Sequence, residues 1–360
     1  MNITKFNNIA YSQGAKYFLT LGEDDSKMKS YQFKKAKKSI LKKEFKYSSS
    51  KGENYLLKEI SQKENVSIDN IVMLSGSTLG IFYFFLMMNK KDKILLFKPV
   101  YPLYTEIAKT LKTSVKTVNL DVNNFNLTYK LFLNSVSNDI KYVIINNPHN
   151  PTGKIIEKKE LDNIIKYCED NKIYLLLDEV YEEIVYVPFE KIVYDNYKYT
   201  ILLKSFSKMY NMTGIRLAYL IADIDIISKF ENYIKISMVS IPKLIQDIGY
   251  SSLKKEVYVK NKYEYNRDLV ASFLYDTKLK FVSLDSTFYV YINIKEFGMK
   301  SYDFCLGLIS YGKVALLPGV LFGNDNYVRL TYSINSKTLS HCLNIIKDYI
   351  SSLRWFIRLK

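Results

Sequence analysis

From about residue 53 onward, short apolar runs alternate with stretches of helical periodicity. The runs are IVML (71–74), KILLF (93–97), YVIIN (142–146), IYLLLD (173–178), TILLKS (200–205) and RLAYLI (216–221). Most are continuous rather than alternating, as in strands covered by helices on both faces. Helical patterning fills the intervals over 53–64, 77–89, 101–111 and 157–170. This order predicts an α/β fold, with a mostly parallel sheet sandwiched by helices. Beyond about residue 240 the pattern changes. A long polar-apolar helix over roughly 255–275 is followed by a strand pair, FVSL (281–284) and FYVYINI (288–294). A helix near 301–310, a strand at 327–332 and a final helix from 336 complete a smaller α+β unit, to which the N-terminal 45 or so residues return. The expected division is a large domain over 46–250 and a small one built from 1–45 and 251–360, with a cleft between them.

The uncharged stretch 71–89 is long enough for a membrane span, but its centre, SGSTLG, is too polar for one. A strand, a tight glycine turn and a buried helix account for it. The first residues carry no apolar core of signal-peptide type, so the expected location is the cytoplasm. Cys168, Cys305 and Cys342 are an odd number without CxxC spacing, which argues against a disulfide framework or a zinc site. No metal is expected.

Charge at first suggests a different class. Lys and Arg total 52 against 36 acidic residues, a net charge of +16, which raises nucleic acid or an anionic membrane as partner. Only five are arginine, however: Arg216, Arg267, Arg329, Arg354 and Arg358. The remaining 47 lysines, spread among many Asn, Ile and Tyr, resemble an A/T-rich codon bias and read as a solvated coat. Neither nucleic acid nor membrane is expected as a partner. Arginine makes planar two-point contacts to phosphates and carboxylates that lysine cannot reproduce. A chain this sparing with it should place it where such geometry matters.

Four motifs carry chemistry. SFSKMYNMTGIR (205–216), directly after an apolar run, can surround a phosphate with Ser205, Ser207 and Arg216 while the Lys208 amine stays free. NNPHNPTGK (146–154) forms a rigid, strongly turned loop at the carboxyl end of a predicted strand, where open α/β sheets place ligands. LLLDEVYEEIVY (175–186) ends a buried strand on Asp178, a costly position unless the carboxylate meets a cation. SGST (75–78) joins a strand to a helix, whose N-terminal N–H groups bind anions.

Together these motifs resemble the class I/II aminotransferase family of pyridoxal 5'-phosphate (PLP) enzymes, fold type I. LTLGEDDS (19–26), YSSSKGENYLL (47–57), KPVYPLY (98–104), LPGVLFG (317–323) and YVRLTYS (327–333) extend the likeness over nearly the whole chain. The resemblance implies that Lys208 forms a Schiff base with PLP and later moves the substrate Cα proton. Asp178 would pair with the pyridine nitrogen. Tyr181 and Asn150 would bond the ring hydroxyl oxygen, and Tyr101 would stack on the ring. Phosphate would be held by Gly76 and Ser77, by Ser205 and Ser207, and by Arg216. Tyr47 would reach the phosphate of a neighbouring subunit in a homodimer. Arg329 would clamp the substrate α-carboxylate, with Gly22 and Asn150 beside it.

The implied reaction moves an amino group from an L-amino acid to a 2-oxo acid. A PLP-dependent lyase, decarboxylase, or amino-acid oxidase or cyclase on the same fold is the alternative. Two departures lie on the substrate side: Ser286-Thr287-Phe288-Tyr289 replaces the usual Gly-x-Phe-Tyr, and a proline is missing after the Glu23-Asp24 pair. With no arginine before residue 216, a neutral or aromatic amino donor is expected over a dicarboxylate or phosphate one. The Asn150–Pro151 bond is expected to be cis, and His149 and His341 to be structural.

Overall fold

A computed structural model describes residues 2–43, 45–122, 124–254 and 259–358. In chain order its strands are β1 (Tyr17–Leu19), β2 (Ile71–Leu74), β3 (Lys93–Lys98), β4 (Ser114–Asn119), β5 (Ile140–Asn146), β6 (Tyr174–Asp178), β7 (Thr200–Ser205), β8 (Ala218–Ile221), β9 (Tyr289–Asn293), β10 (Val314–Pro318) and β11 (Tyr327–Thr331). Seven form one sheet in the order β2-β8-β7-β6-β5-β3-β4. Only β8 runs against the rest, antiparallel to both β7 and β2. The other four form a smaller sheet, β1-β10-β11-β9. The architecture is fold type I as expected, an α/β sandwich beside a smaller α+β unit.

The continuous apolar runs have a direct physical cause. Along β2, Ile71 and Met73 enter one core while Val72 and Leu74 enter the other. Along β6, Leu175 and Leu177 oppose Leu176 in the same way. Each side chain loses its water on whichever face it lands, contributing roughly 1.5–3 kcal/mol apiece. Alternation is therefore absent because neither face of these strands is wet.

The chain's beginning is shared between the two units. β1 pairs in parallel with β10 of the smaller sheet, whereas the helix Lys34–Lys42 packs against the helix Lys243–Leu253, where Ser39 Oγ donates to Asp247 at 2.5 Å. The uncharged stretch becomes β2, a turn at Gly76 and the helix Ser77–Leu86. No helix among the described residues is long and apolar enough to cross a membrane.

Several expectations need correction. FVSL is not a full strand: a single bridge joins Phe281 to Ile292, with the Val282 amide donating to the Tyr291 carbonyl at 3.0 Å, and the pairing gives way to a turn in which Ser283 Oγ accepts the Asp285 amide at 2.9 Å. RLAYLI becomes a strand only from Ala218, since Arg216 adopts a left-handed φ of 60° that ends a 3-10 turn. β4 and β10 were not anticipated, nor were the helices Ile224–Met238 and Lys243–Leu253. β4 escapes notice because SVKTVN is a half-exposed edge strand with few apolar residues. The helix expected over 255–275 spans Val259–Thr277, and its start at 255–258 lies outside the described residues.

Candidate functional site

β3, β5, β6 and β7 all end at the same edge of the large sheet, and their following residues meet the smaller sheet across a cavity of about 390 Å³. Of the residues anticipated from sequence, Gly22, Ser77, Tyr101, Asn150, Asp178, Tyr181, Ser207, Lys208, Arg216 and Arg329 line it. Two more flank it. Ser205 Oγ accepts the Ser207 amide at 3.0 Å and caps the short helix Phe206–Met209 that carries Lys208. Gly76 caps Ser77–Leu86 with φ of +86°, and a Cβ there would stand 2.5 Å from the Arg216 guanidinium. Tyr47 is not brought to this cavity: it is 86% exposed.

Local structure explains each placement. Asp178 ends β6 at the cavity floor, where the Tyr104 hydroxyl donates to its Oδ2 at 2.6 Å and the Val180 amide approaches Oδ1. Burial pushes its carboxyl up to about 6 despite these bonds. An acid in that state gains most from a cation placed against it. The 146–154 loop is tied by Asn146, whose Nδ2 donates to the Asp178 carbonyl at 2.8 Å and whose Oδ1 accepts the Asn150 amide at 2.7 Å. The Asn150–Pro151 bond is cis, as are Asn147–Pro148 and Lys98–Pro99. His149 bonds Thr152 at 2.6 Å within the loop, and burial holds its imidazole down to about 4, so it is neutral.

Three cations face the cavity, and their protein partners are all neutral oxygens. Lys208 Nζ donates to the Gly22 carbonyl. Arg216 donates to the Thr213 carbonyl at 2.9 Å. Arg329, 2% exposed, donates to Asn150 Oδ1 at 2.9 Å and to the Thr20 carbonyl at 2.7 Å, while its Nε is buried without a partner. Desolvation first, then the Arg329 and Arg216 charges, push Lys208 down to about 8. Such a site calls for anions: one opposite Arg216 at the helix start, one opposite Arg329. A buried lysine amine shifted toward neutrality is also a competent nucleophile.

The sequence reading missed several neighbours. Tyr289 is the most important. Its hydroxyl lies 2.8 Å from that of Tyr181, and the Arg329 guanidinium sits 4.0 Å over its ring. β9 and β11 are antiparallel neighbours, so Tyr289 and Arg329 are a diagonal pair on one face, a relation visible once the strands are aligned. Tyr104, three residues beyond Tyr101 on the helix Pro102–Leu111, was within reach of helical periodicity. Thr20 and Asn146 act through contacts that no local pattern announces.

Known proteins resemble this chain in sequence and in fold. Residues 20–346 match the family model described as aminotransferase class I and II. The aspartate aminotransferase of Pyrococcus horikoshii is 28% identical over 299 residues, covering 79% of this chain and 76% of that protein. A (5-formylfuran-3-yl)methyl phosphate transaminase of Methanocaldococcus jannaschii is 28% identical over 358 residues, covering 94% and 93%. The crystal structure of the Thermotoga maritima aspartate aminotransferase superposes with a TM-score of 0.90 at 24% identity, covering 97% of this chain and 95% of that one.

Proposed function

Because the chain belongs to the class I and II aminotransferase family and so transfers amino groups, we propose that it does so with PLP held in this cavity, passing the amino group of an L-amino acid to a 2-oxo acid. The observation that carries this reading is the charge pattern. Among the described residues Lys208, Arg216 and Arg329 have only neutral hydrogen-bond partners, and the desolvated Asp178 lies on the floor between them. A phosphate, a carboxylate and a ring cation satisfy that pattern together. The cradle also fits, since a side chain at Gly76 would fill the space beside Arg216 where a phosphate is to sit.

In this reading Arg216, Ser207 and the Gly76–Ser77 backbone hold the phosphate, with Ser205 fixing Ser207. Tyr101 would lie against the ring, Tyr181 and Asn150 would donate to its hydroxyl oxygen, and Asp178 would hold its nitrogen protonated. Bound PLP supplies an electrophilic carbon and a ring able to take up the electron pair of the substrate's Cα–H bond. Lys208 would hold the cofactor, and its amine, pushed down to about 8, would serve as the base for the proton on the donor's Cα. Arg329 orients the donor through its α-carboxylate, with Gly22 closing the site so tightly that a Cβ would come within 2.4 Å of the Tyr289 hydroxyl. Tyr47, exposed and away from this cavity, is assigned to the phosphate of a second copy, which makes the working form a homodimer. Three buried free cysteines suit a reducing compartment such as the cytoplasm.

The donor has a neutral or aromatic side chain. Beyond Arg216 and Arg329 no arginine among the described residues lines the cavity: Arg267 lies over Tyr186, and Arg354 pairs with Glu296 at 2.9 Å. A dicarboxylate donor is the second reading, favoured by the name of the P. horikoshii relative. A screen of donors and acceptors with purified protein and added PLP, following the cofactor's visible spectrum, decides both points. Conversion to the amine form of the cofactor by donor alone is expected. Return to the starting spectrum with loss of the donor's side chain or carboxylate would overturn transamination, and aspartate as best donor would establish the second reading.

A further inference from the structure

Beneath the cavity lies a charged cluster that the transfer chemistry does not use. Lys204, on β7 four residues before Lys208, is 2% exposed and meets three carboxylates. Its Nζ lies 2.7 Å from Glu182, 2.9 Å from Glu64 and 3.6 Å from Glu179. Glu179 and Glu182 belong to the turn after β6 that also carries Asp178 and Tyr181. Glu64 ends the helix Asn54–Glu64 and accepts the Tyr219 hydroxyl of β8 at 2.6 Å. Lys63 adds a half-exposed charge at the rim, 3.8 Å from Glu64 and 3.2 Å from Glu183.

We propose that Lys204 is a positioning residue: its buried ammonium binds the 178–182 turn to β7 and so sets where Asp178 and Tyr181 stand relative to Lys208. This rests on the reading of those three residues as the cofactor's partners. The connections are short. Asp178 is in register with Leu203, the Glu179 amide donates to the Leu203 carbonyl at 3.0 Å, and Lys204 follows directly. Past Glu179 the turn is held by two backbone bonds, Glu182 to Glu179 at 3.0 Å and Ile184 to Tyr181 at 2.8 Å. Among the described residues both oxygens of Glu179 lack a hydrogen-bond partner, and the Lys204 ammonium stands 3.6 Å from one of them. A lone buried lysine among carboxylates from the turn and from a separate helix is costly to assemble, and removing it leaves uncompensated acids. An error of an ångström in the Asp178 carboxylate would be felt in the reaction.

The test uses Lys204→Met, Lys204→Arg and the double variant Lys204→Met with Glu182→Gln, which removes one acid along with the lysine. In protein without PLP, hydrogen exchange of the Glu182 and Ile184 amides is expected to rise about tenfold or more in Lys204→Met. In protein loaded with PLP, kcat is expected to fall about tenfold or more while the donor KM stays within about threefold, and the pH midpoint of the bound cofactor's absorbance should move. Lys204→Arg should restore most of both. Should Lys204→Met fail to fold, the double variant, relieved of one acid, is expected to fold and still show fast exchange and low kcat. Unchanged exchange in a folded variant overturns the proposal, as does a double variant that regains both stability and kcat. Failure of the wild-type chain to take up PLP would instead sink the cofactor reading, and the exchange measurement would still decide whether Lys204 holds the turn.

Discussion

Lys204 and Lys208 stand four residues apart on one strand and the short helix that follows, yet their surroundings are opposite. Burial alone would lower Lys204, but Glu182, Glu179 and Glu64 raise it well above an ordinary lysine. Lys208 opens onto the cavity without a carboxylate partner and has two guanidiniums nearby, so it is pushed down to about 8. One lysine is therefore locked as a cation, and the other is poised to lose its proton. Strand geometry separates them: Lys204 points from β7 to the acid cluster, while the cap at Ser205 starts a helix that turns Lys208 into the cavity. Residue type says little about a buried lysine's chemistry, and neighbouring charge decides it.

The sharpest way to break this contrast is Lys208→Ala. Turnover is expected to fall by at least about 10³-fold, because the variant loses both the anchor and the base. Borohydride reduction of the PLP-loaded wild-type chain followed by mass spectrometry should find the label on Lys208 and none on Lys204. A label spread over both would erase the difference between them. Next in size is the effect of pH on cofactor capture. A lysine at about 8 exposes roughly 10²-fold more free amine at pH 7 than one near 10.5. The initial rate of PLP uptake by the cofactor-free chain should thus rise with pH and level off above about 8, and a rise that continues past pH 10 would show Lys208 to be ordinary. Arg329→Lys comes third. It keeps the charge beside Lys208 but loses the planar fork, so kcat/KM for the donor should drop about 10- to 100-fold, mostly through KM.

Which parts of this could be read from the chain follows from how local each feature is. Lys208, Arg216, Asp178 and Asn150 lie in compact motifs at strand ends, where a few adjacent residues specify both the turn and the chemistry. The positions of most large-sheet strands were legible because buried strands announce themselves as continuous apolar runs, whereas their order in the sheet was not. The contact of Tyr289 with Tyr181, the role of Thr20 and the carboxylates that surround Lys204 were not legible. Thr20 offers only its carbonyl to Arg329, across 309 residues of chain. Lys204 and Glu64 lie among many lysines and glutamates of surface type, and only the packing of Asn54–Glu64 against the large sheet reveals that these two are buried. The +16 charge hid a lysine whose burial matters structurally.

The smallest expected effect concerns the acid side of the Lys204 cluster. Burial pushes Glu179 up to about 8, against 4.5 for an ordinary glutamate, even with Lys204 nearby. A carboxyl whose folded value is raised stabilises the fold below the unfolded value, and that contribution is lost as pH climbs through the folded one. The wild-type chain should therefore lose stability from this group between about pH 4.5 and 8. Glu179→Gln keeps the shape without the ionisation, so its unfolding temperature should fall less over the same range. The two unfolding midpoints, measured without PLP, are expected to diverge by about 2–4 °C between pH 5 and 8.5, with the variant higher at the alkaline end. Parallel curves would mean that Lys204 holds Glu179 ionised throughout. The cluster would then carry a full extra negative charge, and the contrast between the two lysines would be sharper still.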